Sequence, residues 1–112
     1  MKIIKLELDF LIGPIIKDVF STSKNKLVTG VDIIDNDLDL NDLNDKASAL
    51  YSSFYEFDKD EACRFNNTLA KEHLDELKEL INKIKNRLNT LNDGTFELND
   101  LASEQLHELD LQ

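Results

Sequence analysis

Apolar and charged residues alternate strictly over residues 4–10, the pattern of a strand with one buried face. Gly13-Pro14 ends this pattern. Alternation returns over residues 27–33, where Leu27, Val31 and Ile33 share a face. Residues 15–20 are compatible with a strand or a helix, because apolar pairs at helical spacing coincide there with β-branched residues. The pattern therefore predicts an antiparallel hairpin or small sheet within residues 3–34.

After Asp35 the apolar period changes from two to three–four, which indicates an amphipathic helix over about residues 39–55. Asp37 or Asp39 can cap its start, since a carboxylate there accepts hydrogen bonds from backbone N–H groups that have no partner in the helix. The apolar positions that define its buried face are Leu40, Leu43, Ala47, Leu50, Tyr51 and Phe54.

A longer helix is predicted over about residues 59–92. Asp58 stands at the N-cap with Glu61 three residues later, an acidic variant of the capping box, and Phe57 and Ala62 occupy the staple positions. The Asn-Asp-Gly sequence that begins at Asn92 ends the helix. Its apolar residues recur at alternating steps of four and three, which defines a heptad seam: Ala70, Leu74, Leu77, Ile81, Ile84, Leu88 and Leu91.

Unbroken, this helix would be about 51 Å long at 1.5 Å per residue, whereas a compact domain of this size is only about 34 Å across. Either the helix is interrupted at residues 66–68, where two Asn and one Thr disfavour a helix interior, or one end projects and packs on a partner. A projecting seam over residues 70–91 would support a homodimer, whereas an enclosed seam would belong to the core of its own chain.

An extended link over residues 95–98 and a last helix, capped by Asn99 or Asp100, complete the chain. The sequence therefore predicts an α+β fold in a single domain spanning residues 1–112, with a small N-terminal antiparallel β-hairpin or sheet followed by three helices. A length of 112 residues is near the commonest domain size.

The formal net charge of −10 shapes the functional picture more than any other feature of the composition. A strongly acidic surface repels phosphate groups, so binding to nucleic acids and to anionic membranes is disfavoured. The lone cysteine, Cys63, excludes an internal disulfide and fits a reducing compartment. Charges interrupt the N-terminal apolar run and no apolar stretch approaches 18 residues, so we expect no signal peptide, no transmembrane helix and a cytoplasmic location.

The acidic residues are concentrated in two blocks. Residues 31–61 carry a net charge of −8 and residues 92–112 carry −6, whereas residues 1–30 and 62–91 carry +2 each. Evenly spread carboxylates are typical of a surface that keeps a protein in solution. Carboxylates held together repel one another, and a basic protein partner would offset that repulsion.

None of the candidate metal or catalytic patterns is complete. An EF-hand loop beginning at Asp35 or Asp37 lacks the glycine at its sixth position and the glutamate at its twelfth. Cys63 and His73 would lie about 15 Å apart along one helix, and we expect Cys63 to be buried as an apolar residue. The sequence contains no phosphate loop, nucleophile elbow or zinc-ligand spacing. We therefore expect a protein that is not an enzyme and has no cofactor and no metal.

The sequence favours a small acidic inhibitor of a basic protein partner, such as a nuclease toxin neutralised by its immunity protein, or another nucleic-acid enzyme blocked by a phage-type inhibitor. The alternative is a helical oligomeric adaptor that forms a homodimer through the 70–91 seam. The predicted partner interface combines the first acidic block with nearby aromatic residues, which are typical interface anchors: Asp32, Asp35, Asp37, Asp39, Asp42, Asp45, Tyr51, Tyr55, Glu56 and Asp58. The C-terminal carboxylates are the second candidate: Asp100, Glu104, Glu108 and Asp110.

Overall fold

A computed structural model describes residues 1–57 and 63–112, and within them helices and short strands confirm the predicted α+β class. The elements in chain order are β1 (Lys2–Leu6), β2 (Val19–Ser21), β3 (Lys26–Val28), α1 (Asp32–Asp35), α2 (Leu38–Ser52), β4 (Tyr55–Phe57), β5 (Cys63–Phe65), α3 (Asn67–Glu72), α4 (Leu74–Leu91), β6 (Phe96–Asp100) and α5 (Ala102–Leu111).

The first strand pairs with the last one. β1 and β6 run parallel, with Ile4 opposite Leu98, and the other edge of β1 makes a single antiparallel bridge between Leu6 and Ile15. The predicted N-terminal antiparallel sheet is therefore wrong for this strand, which forms no hairpin with β2. Alternation specifies which face of a strand is buried but not which strand lies beside it, and the strand that lies beside β1 contributes the buried side chain of Phe96 to the core.

A separate antiparallel hairpin joins β2 and β3, with Phe20 opposite Leu27. The predicted alternating run over residues 27–33 ends at Val28, because the chain turns at Gly30, which has a φ of +88°, and continues as α1. This turn places Val31 and Ile34 in the core and leaves Leu27 exposed. The inward face predicted for this run is therefore wrong.

The first predicted helix is present as α2. Asp37 is its N-cap and accepts a hydrogen bond from the Leu40 backbone N–H at 2.9 Å. The helix ends at Ser52, three residues before the predicted end, because the chain turns at residues 53–54 and enters β4. Arg87, near the end of α4, contacts Asp37, so the two helices pack side by side in opposite directions.

The helix predicted over residues 59–92 is replaced by three elements. Cys63–Phe65 is a strand paired antiparallel with Tyr55–Phe57, and α4 begins only at Leu74. The expected interruption near residues 66–68 is present, since the Asn66 side chain accepts from the Leu69 N–H and caps α3. A second break follows at His73, whose φ of −109° and ψ of 13° are not helical. The predicted capping residues Asp58, Glu61 and Ala62 lie outside the described residues.

The heptad seam lies at the centre of the hydrophobic core. Its residues are enclosed by the same chain, together with apolar side chains of α2, α5 and the β1–β6 sheet. They are therefore not accessible to a second copy in this fold. The buried seam residues are Ala70, Leu74, Leu77, Ile81, Ile84 and Leu88.

Gly13 allows two backbone segments to approach closely behind β1. A Cβ at this position would collide with the carbonyl oxygen of Glu7, and the Glu7 N–H donates to the Pro14 carbonyl at 2.8 Å. The Gly13-Pro14 peptide bond is cis. The turn therefore depends on the absence of a side chain at residue 13.

Truncation of the seam should reduce the stability of the fold. Leu77 and Ile84 are each 0% exposed, so Leu77→Ala or Ile84→Ala should lower the free energy of unfolding by about 2–5 kcal/mol, the range for buried aliphatic residues. Urea denaturation followed by circular dichroism measures this loss. The matched control is Leu38→Ala, because Leu38 is 83% exposed; equal losses for Leu38 and Leu77 would contradict the assigned core.

Candidate partner-binding surface

Asp37 links the two main helices. In addition to capping α2, its carboxylate accepts two hydrogen bonds from the Arg87 guanidinium, from Nε at 2.9 Å and from Nη2 at 2.6 Å. This bidentate contact holds the pKa of Asp37 below its ordinary value, against an opposing effect of burial. Asp37 was predicted to lie in the partner interface, but its charge is paired with Arg87 within the fold.

Asp35 is also used internally. Its carboxylate accepts hydrogen bonds from the Thr29 N–H at 2.9 Å, the Thr29 hydroxyl at 2.7 Å and the Gly30 N–H at 3.1 Å. These contacts close the turn between β3 and α1. The side chain of Asn41 adds a hydrogen bond to the Asp35 carbonyl oxygen, so the start of the acidic block is held from both sides.

The remaining carboxylates of this block face solvent and form the candidate surface, which we call the acidic face: Asp32, Asp39, Asp42 and Asp45. Asp42 contacts Lys46 at 2.9 Å, one turn along α2, and both side chains are more than half exposed. An exposed pair of this kind contributes little to stability. Among the described residues the other three make no ion pair. Three of the ten predicted interface residues thus lie exposed along α2, and a fourth, Asp32, is exposed at the start of α1.

The predicted aromatic anchors are turned inward. Tyr51 and Tyr55 are partly buried, and their hydroxyl groups lie 3.1 Å apart in a hydrogen bond. Burial, followed by this hydrogen bond, raises the pKa of Tyr51. Both rings pack against Phe65, so they stabilise the β4–β5 hairpin and are not free anchors.

Of the last two predicted interface residues, Glu56 lies on the same hairpin. Glu56 is exposed and accepts a hydrogen bond from the Asn66 side chain at 2.7 Å. Asp58 lies outside the described residues. Glu56 therefore lies beyond the C-terminal end of α2, whereas Asp32 and Asp39 lie at or before its first turn.

The C-terminal acidic block is partly neutralised. Asp100 contacts Lys85 at 2.8 Å and accepts hydrogen bonds from the backbone N–H and the hydroxyl of Ser103, in the first turn of α5. Burial opposes the ionised form of Asp100, but these contacts outweigh it and lower the pKa. Asp110 contacts Lys78 at 3.4 Å. Glu104 and Glu108 are exposed and make no ion pair among the described residues.

Cys63 is exposed on β5, so the expectation of a buried cysteine is wrong. Cys63 lies on one strand of the β4–β5 hairpin and not on a helix packed against the core. Within residues 1–57 and 63–112, no group of three or more His, Cys, Asp or Glu side chains is arranged to hold a metal ion.

An apolar surface that the sequence reasoning missed lies beside α2. Leu11 and Ile12, in the loop after β1, are 71% and 57% exposed, and Leu27 of β3 is 54% exposed. These three side chains line a groove of about 280 Å³, together with Lys17 and Asp45. The sequence signal for this surface was the Phe-Leu-Ile run directly before Gly13, because it puts large apolar residues in a turn.

The sequence matches no protein-family model. It matches no curated protein and no solved structure. In the part of the chain that the structure describes, no helix is both long and apolar enough to cross a bilayer.

The Asp37–Arg87 contact should make the stability of the fold dependent on acid. Because the pKa of Asp37 is lower in the folded chain than its ordinary value of 3.8, its stabilising contribution is complete above that value and is lost as the pH falls through the folded-state pKa. Asp37→Asn keeps a capping side chain but removes the charge. Its free energy of unfolding should therefore fall less steeply than that of the native chain between about pH 5 and pH 2.

Chemical denaturation across this pH range measures the difference. Asp37→Ala should lose about 1 kcal/mol more near neutral pH, because the cap is removed as well. The matched control is Asp42→Asn, which removes a carboxylate from the same helix without touching Arg87. An Asp37→Asn profile parallel to that of the native chain would show that the contact does not stabilise the fold.

Proposed function

We propose that this chain is a small acidic inhibitor that binds a basic protein in the cytoplasm and performs no catalysis itself. The partner class that best fits is an enzyme of nucleic acids, either a nuclease toxin neutralised by an immunity-type protein or a host enzyme blocked by a phage-type inhibitor. Such enzymes carry basic clefts that bind phosphate groups, and carboxylates can occupy the same clefts.

The observation that carries the proposal is the acidic face held on a rigid frame. Asp35 closes the turn before α1 through three hydrogen bonds, and Asp37 fixes the start of α2 to α4 through Arg87. The neighbouring carboxylates therefore project from fixed backbone. Preorganised charges lose less conformational entropy on binding than charges on a mobile tail.

Electrostatics gives this face a mechanism. Asp39 and Asp42 lie three residues apart on α2, a spacing that puts side chains next to each other on a helix surface. Their fields add and attract a basic cleft before contact is made, which raises the association rate at low salt. Once bound, the face blocks the cleft against nucleic acid by occupying the same cationic side chains.

The first experiment identifies the partner and its activity. The chain, immobilised, is used to capture proteins from its native host at low salt, and the retained protein is assayed for nuclease or other nucleic-acid activity with and without the chain. We expect a basic protein whose activity falls on binding and whose affinity declines steeply with salt. A partner that is acidic, or that binds equally well at 50 and 500 mM salt, would contradict the proposal.

Neutralising the acidic face should slow association with that partner. Asp39→Asn combined with Asp42→Asn should reduce the association rate constant by about three- to tenfold at low salt and flatten its salt dependence, since both effects arise from long-range attraction. Stopped-flow or surface plasmon resonance measurements at several salt concentrations give both quantities.

The matched control is Glu104→Gln combined with Glu108→Gln. It raises the net charge by the same two units but acts on exposed residues of the C-terminal block. If both double variants slow association equally, net charge alone is responsible and the acidic face has no special role. If only the C-terminal variant acts, the partner binds at α5.

A further inference from the structure

The groove beside α2 combines apolar exposure with both signs of charge. Its apolar wall consists of Leu11, Ile12 and Leu27, and Phe20 extends it because that residue lies opposite Leu27 in the β2–β3 hairpin and is itself exposed. Clustered apolar side chains on a surface mark interaction sites more often than scattered ones do. This cluster contains four of the large apolar residues that the described chain leaves exposed.

Leu11 is held in an unfavourable backbone conformation. Its φ of 65° lies in the left-handed region, which residues with a Cβ other than Asn and Asp rarely adopt. The Leu11 N–H donates to the Ser52 hydroxyl at 2.9 Å, which fixes the loop to the end of α2. The Leu11 backbone is thus strained while its side chain is exposed to solvent. This combination points to a role outside the monomer.

Two opposite charges flank the apolar wall. Lys17 and Asp45 both line the groove, yet among the described residues neither makes an ion pair, with each other or with a third residue. A surface with one base and one acid around an apolar centre is complementary to itself. In a two-fold arrangement, Lys17 of each copy would meet Asp45 of the other, and the two apolar walls would pack together.

We propose that this groove is the dimerisation surface of the protein, with a second copy of the chain as its occupant. Charge supports the choice of occupant. The charged residues that line the groove are one base and one acid, Lys17 and Asp45, so two copies meet on a surface that lacks the net negative charge of the acidic blocks. The acidic residues Asp39 and Asp42 stay outside the groove lining. Asp45 belongs both to the groove and to the acidic face, so the dimer covers one of the four carboxylates of that face, and the test of the dimer needs no partner protein.

Sedimentation equilibrium of the isolated chain between about 1 and 500 μM tests the proposal. We expect a reversible monomer–dimer equilibrium. Ile12→Ser should raise the dissociation constant by about tenfold or more, because apolar residues at the centre of an interface carry most of its free energy. The matched control, Leu38→Ser, removes an even more exposed aliphatic side chain outside the groove and should leave the equilibrium unchanged.

Charge exchange tests the two-fold arrangement directly. Lys17→Glu and Asp45→Lys should each weaken the homodimer, since each places like charges opposite one another twice. An equimolar mixture of these two single variants should form heterodimers, because both crossed contacts then join opposite charges. The double variant should dimerise like the native chain. Native mass spectrometry separates the three species in the mixture.

Leu11→Asn gives an independent readout. Asparagine tolerates the left-handed conformation, so this variant should raise the unfolding midpoint of the monomer at low concentration while weakening the dimer. Opposite signs for the two effects are not expected from a merely structural leucine. A chain that stays monomeric at 500 μM, or a dimer that survives both Ile12→Ser and Leu11→Asn, would overturn the proposal. The first of these outcomes would leave the groove to a different protein.

Discussion

The apolar stripe of α4 determines where the other elements lie. Five of its side chains are at most 5% exposed, and covering them on all sides requires α2, α5 and the β1–β6 sheet at once. A stripe at heptad spacing can be covered by a partner helix as well as by its own chain. In this fold the same chain covers the stripe, so α4 is enclosed. Any partner must therefore bind to the elements that surround α4.

The carboxylates of the acidic block have two roles, one inside the fold and one at the surface, and the sequence alone does not distinguish them. Asp35 and Asp37 satisfy backbone N–H groups and Arg87, and they hold α1 and α2 in place. The carboxylates before and after them remain in solvent. Fixing part of a like-charged run inside the fold lowers the repulsion that the rest must bear. The same arrangement gives the remaining charges a defined geometry.

Local patterns predicted the helices best and the strands least. The cap at Asp37, the buried stripe of α4 and the interruption near residue 66 follow from side-chain chemistry within a few residues, and all are present. The pairing of β1 with β6 depends on contacts almost a whole chain apart, which alternation cannot specify. For the candidate site, exposure of Asp42 and Asp45 followed from helix periodicity. The inward role of Asp35 depended on a turn at Gly30, and the groove depended on a loop, a hairpin and a helix meeting in space.

The parallel pairing of β1 with β6 also means that this sheet is completed late in synthesis. Lys2 lies opposite Phe96, so the first strand leaves the ribosome long before its neighbour exists. Until then the only strand-like contact of β1 in the described chain is the Leu6–Ile15 bridge on its other edge, and contacts between residues as distant as Lys2 and Phe96 form slowly. The nascent chain must therefore keep an apolar strand from aggregating until β6 has been synthesised. The charged residues that alternate with the apolar ones in β1 help to keep it in solution.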